Sequence, residues 1–156
     1  MEKNYWNAAA GLSFHLSHEI VGGFDVGFDA GIPEETQKIL MDFVYWVEDH
    51  YNMPITLWVD FKNRHYLIDR NKQRVGYKFY WADFATYPVF ENEADIPVIE
   101  LPVKTGRYNL EEILASFIEA ITHYFAWLSN AHDNTFWPNP QLVESILQAY
   151  LAEHPL

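Results

Sequence analysis

The stretch Leu114-Ala115-Ser116-Phe117-Ile118-Glu119-Ala120-Ile121-Thr122-His123-Tyr124-Phe125-Ala126-Trp127 decides how this chain is read. With its flanks it sets Leu110, Ile113, Leu114, Phe117, Ile118, Ile121, Tyr124, Phe125 and Leu128 at helical spacing, a wide apolar stripe that must be buried. Asn109 stands ahead of it with Glu112 three residues on, the pattern in which each side chain satisfies a backbone amide of the first turn. Downstream, the polar residues 130–134 lead through Phe136-Trp137 to Asn139-Pro140, a cap followed by proline at the first helical position. A last helix is therefore predicted over residues 141–153.

Upstream, residues 96–103 (IPVIELPV) read as a strand, and Pro97 and Pro102 predict that it lies at a sheet edge, since proline cannot donate to a ladder. Residues 87–95 (YPVFENEAD) read as acidic and irregular. The runs 55–61, 65–69 and 75–82, rich in β-branched and aromatic residues and separated by polar turns, predict an antiparallel meander. Before them, Pro33, Glu34 and Glu35 open a helix carrying Ile39, Leu40, Phe43, Val44, Trp46 and Val47, with an end near Asn52. Leu12, Phe14, Leu16 and Ile20 alternate, as do Phe24, Val26 and Phe28 after Gly22-Gly23, which predicts a β-hairpin. The expected fold is a single α+β domain over residues 1–156: hairpin, helix, antiparallel or mixed sheet with an edge strand, then two helices.

Composition narrows the function. Hydrophobic residues are 49% and aromatics 17% of the 156, too much core material for a disordered chain. Ten Lys and Arg stand against 22 Asp and Glu, a formal charge of −12, so phosphate backbones are repelled and nucleic acid is not an expected partner. The absence of cysteine removes disulfides, thiolate metal sites and a thiol nucleophile. The first residues lack a basic start followed by an apolar run, and no stretch reaches the length of a membrane span, so a soluble, cytoplasmic protein without membrane contact is expected.

Residues 114–127 resemble the active-site helix of the zincin metallopeptidases. In that family's H-E-x-x-H motif two imidazoles four residues apart share a helix face and bind zinc, while the intervening Glu takes a proton from the metal-bound water. Here the second imidazole is His123; Glu119 occupies the position of the first, and Ala120 that of the base. The resemblance covers roughly residues 34–153 and implies a zincin-like fold, with residues 96–103 as the substrate-binding edge and Glu144 of the last helix in the place of a third ligand. Carboxylate oxygen is an accepted zinc ligand, so the resemblance implies Glu119, His123 and Glu144 as the residues that would hold a zinc ion, the one cofactor to weigh. Ala120 removes the group that activates water, a role worth about 10²–10⁴-fold in rate. No catalytic residue then remains. The implied protein is an inactive pseudo-metallopeptidase whose cleft takes a peptide or protein by strand addition.

Two other readings stand beside it. One is an atypical metal-dependent hydrolase using Glu119, His123 and Glu144. The other, independent of the resemblance, is an acidic protein-interaction module, of the inhibitor or immunity type, that meets a basic partner. Other residues carry less. His15, His18 and Glu19 sit on a predicted strand where positions three apart face opposite sides. His132-Asp133 reads as a turn, and Asp25, Asp29, Glu91, Glu93 and Asp95 lack the spacing of a calcium loop. The aromatics of residues 77–81 read as core and sheet surface, and no serine sits in a nucleophile elbow.

Overall fold

Two parallel neighbours joined through a helix begin the fold: strand β1 (Phe24–Phe28), helix α1 (Glu34–His50) and strand β2 (Leu57–Lys62). A computed structural model of the chain describes residues 23–64, 67–68, 74–75, 83–88, 95–104, 109–129 and 138–156. The short strands β3 (Leu67–Ile68) and β4 (Arg74–Val75) pair antiparallel with each other. After them come β5 (Asp83–Pro88), β6 (Asp95–Pro102), α2 (Leu110–Leu128) and α3 (Pro140–Glu153). The main sheet runs in the order β1-β2-β6-β5, parallel from β1 to β6 and antiparallel only between β5 and β6.

The mixed sheet, the first helix and the two C-terminal helices agree with the α+β expectation; the arrangement does not. Strand β2 belongs to no antiparallel meander, because both its neighbours run parallel to it. β1 takes β2 as its parallel partner, and the other arm expected of its hairpin, residues 12–20, lies outside the described residues. The strand expected at the edge, β6, is interior, and among the described residues β1 and β5 form the edges. Tyr87 and Pro88, read as irregular, belong to β5. These differences overturn the zincin-like architecture: the strand ahead of the long helix presents no free edge to a substrate.

The two prolines of β6 misled because their placement, not their number, decides pairing. The Val103 amide donates to the Lys62 carbonyl at 2.9 Å, so by the two-residue period of a strand the nitrogen of residue 97 also faces the β2 side. The β2–β6 register starts at Trp58 with Val98, one step beyond Pro97. The nitrogen of Pro102 faces the β5 side, where the described pairing reaches as far as Asp83 with Glu100. Pro97 thus sits where no ladder bond to β2 is owed.

The core lies between the sheet and the helices. Phe24, Leu57, Val59, Phe61, Ile99 and Leu101 face it from the strands. Phe117 of α2 is fully buried and touches Phe24 at 6.0 Å, Phe43 at 5.4 Å and Phe61 at 5.3 Å between ring centres, joining four elements. α1 opens after Pro33 with Glu34 and Glu35 in its first turn and ends where the Tyr51 amide bonds the Val47 carbonyl. The Asn109–Glu112 pair starts α2, Glu112 donating its amide to Asn109 Oδ1 at 2.8 Å and the Asn109 amide reaching Glu112 Oε1 at 3.3 Å. Asn139 caps α3, with Pro140 at the first position, and Tyr150 sets α3 against Phe43 and Trp46. Gly23 and Gly31 take positive φ at the two ends of β1. A Cβ at Gly23 would stand 2.4 Å from Glu48 Oε2, the atom that accepts from the Phe24 amide.

Candidate functional site

The helix singled out by the sequence is buried on nearly every side. From Ile113 to Leu128 its buried residues include Ser116, Ala120 and Thr122 as well as the apolar stripe, because it packs on the sheet and on α3 together. Glu119 is exposed, His123 half-buried and Ala120 buried with 2% exposure. In an H-E-x-x-H helix the base must face the same cleft as the ligands; here that position belongs to the hydrophobic core. The Thr122 hydroxyl donates to the Glu119 carbonyl at 2.6 Å. Burial holds the Glu119 carboxyl above the ordinary carboxylate pKa: the residue reaches solvent, yet its surroundings disfavour the charge.

Glu144 is exposed in the first half of α3, where its Oε1 accepts from Gln148 Nε2 at 3.0 Å. Among the described residues, Glu119, His123 and Glu144 included, no three carboxylate or imidazole side chains come together as a metal-binding group. A cavity lies among α1, α2 and α3, lined by Phe43, Val47, Tyr51, Ile118, Thr122 and Ile146 among others. At about 10 Å³ it is too small for a ligand.

Other sequence candidates have structural employment or lie elsewhere. Asp29 is tied to the end of β2, accepting from the Asn63 amide at 3.1 Å with Lys62 Nζ at 3.8 Å. His15, His18, Glu19, Glu91, Glu93, His132, Asp133 and residues 77–81 lie outside the described residues. The face of the sheet turned from the helices carries Trp58 and Val98, half-buried, with Asp60 exposed and Glu100 directly beside it in register.

Two features were not anticipated. Trp46, His50 and Glu153 join the C-terminal turns of α1 and α3: the Trp46 indole donates to Glu153 Oε2, His50 stacks on Trp46 at 4.3 Å, and His50 Nδ1 lies 2.8 Å from the Trp46 carbonyl. A carbonyl only accepts, so that ring nitrogen carries a hydrogen. The second feature is Tyr45, 57% exposed between buried Val44 and Trp46. Its signal was present in the sequence, since Tyr45 falls outside the set Leu40, Phe43, Val44, Trp46 and Val47 that marks the buried face.

Comparison with known proteins finds no similarity: no family model, no curated protein and no solved structure matches this chain. The described residues form a small α+β fold, with three parallel strands in one sheet and three helices among them. The pseudo-metallopeptidase reading rested on a zincin-like fold, and with that fold overturned it has no structural support.

Proposed function

We propose that this chain is an acidic protein-interaction module that binds a cationic partner protein. The observation that carries the reading is the sign of its surface. Glu34, Glu35, Asp49, Asp60, Glu111, Glu112, Glu119, Glu144 and Glu153 are exposed, against Lys38, Arg64 and Lys104 among the described residues. A field of one sign steers an oppositely charged partner and rejects like-charged ones.

The test is capture on the immobilised protein at low and high salt, followed by reconstitution with the purified captured protein. A basic protein that forms a stoichiometric complex and is released by salt is the expected result. Retention only of acidic or neutral proteins, indifferent to salt, would overturn the reading.

A further inference from the structure

We infer that the outer face of α1 around Tyr45 is the docking surface of this module and that its occupant is an arginine- or lysine-bearing segment of the partner; the inference rests on the interaction-module reading above. Tyr45 shows 57% of its surface to solvent on an otherwise well-packed helix. Tyrosine offers a large contact area with few rotatable bonds and is over-represented among the residues that dominate interface energies. Asp42 lies one turn before it and Asp49 one turn after it, on the same helical face. The ion pairs of the described residues engage Glu153 and Asp29 and leave both of these carboxylates out. Lys38, a turn beyond Asp42, is the stripe's base and marks its end.

This arrangement is complementary to a cation. A guanidinium laid on the phenol ring gains the attraction of the ring's negative face, and the two flanking aspartates supply countercharge. A chain of acidic residues without the aromatic would attract any polycation without fixing its position; Tyr45 gives the surface a centre.

The test titrates an octa-arginine peptide into the isotopically labelled 156-residue chain at low salt, reading backbone amide shifts and affinity. Shifts are expected to cluster on α1 from Lys38 to His50. Y45A is expected to weaken binding about threefold to fivefold, and D42N with D49N roughly fivefold. A double variant of equal charge on the other helices, E111Q with E144Q, is expected to have less effect than D42N with D49N. Shifts centred elsewhere, or equal losses from the two double variants, would overturn this surface while leaving the module reading intact. No saturable binding at low salt would overturn both.

Discussion

Phe117 shows how one side chain holds the protein together. Its ring meets Phe24, Phe43 and Phe61, so removing it opens a cavity shared by two strands and two helices. Phe117→Ala is expected to lower unfolding stability by about 3–5 kcal/mol in urea titrations. Ala120 lies in the same core, and Ala120→Glu, which would restore the base of a metallopeptidase motif, places a carboxylate where there is neither space nor a partner. A loss of at least about 3 kcal/mol is expected, read by denaturant titration or by failure to fold. An Ala120→Glu chain as stable as the parent would reopen the cleft that the core position denies. Glu119 makes a prediction in pH. Its carboxyl is held above the ordinary value by burial, so the folded chain holds that proton more tightly than the unfolded chain. The stability this contributes is fully present at low pH and is lost as pH rises through the folded pKa. Glu119→Gln is therefore expected to raise the melting temperature at neutral pH, with the gap closing as the parent's carboxyl becomes protonated.

Among the elements, β6 carries the strongest consequence of the topology. An interior strand needs its amides on both sides, and Pro97 stands one step before the ladder with β2 begins at Trp58 with Val98. Pro97→Ala is expected to change stability by less than about 1 kcal/mol, whereas Ile99→Pro removes a bond to β2 within a buried strand and is expected to abolish folding, checked by circular dichroism. A tolerated Ile99→Pro would return β6 to the edge. The β1-α1-β2 unit explains why β2 stands outside the antiparallel meander expected of it, whereas β3 and β4 do pair antiparallel as expected. Period-two alternation reports that a strand has one buried face; it is silent on whether its neighbour runs up or down. The connection decides, and a helix of 17 residues between β1 and β2 permits the parallel return that a tight turn forbids.

Across the whole molecule, the charge of −12 repels itself in the folded state, where the carboxylates are held closer together than in the unfolded chain. Added salt is expected to raise the melting temperature by screening that repulsion, measured by thermal denaturation from low to physiological ionic strength. A fall with salt would mean that attractive pairs such as Lys62 with Asp29 outweigh the net field. The same charge is the property from which the proposed function is argued. It is set by composition and only distributed by the fold.

By itself the sequence determined the helices and their limits. Asn109 with Glu112, Asn139 with Pro140, and the acidic first turn of α1 act through neighbours a few residues away, and apolar spacing reports the buried face directly. It also determined the acidic character of the surface, since charges cost too much to bury and stay outside. Only the tertiary structure decided strand order, the interior place of β6 and the fate of the Glu119-Ala120-Ile121-Thr122-His123 run. These depend on which distant segments meet. A position such as Ala120 reads the same on a helix lining a cleft or crossing a core, and it is Phe24, Phe43 and Phe61, far away in sequence, that close around α2 and make it the latter.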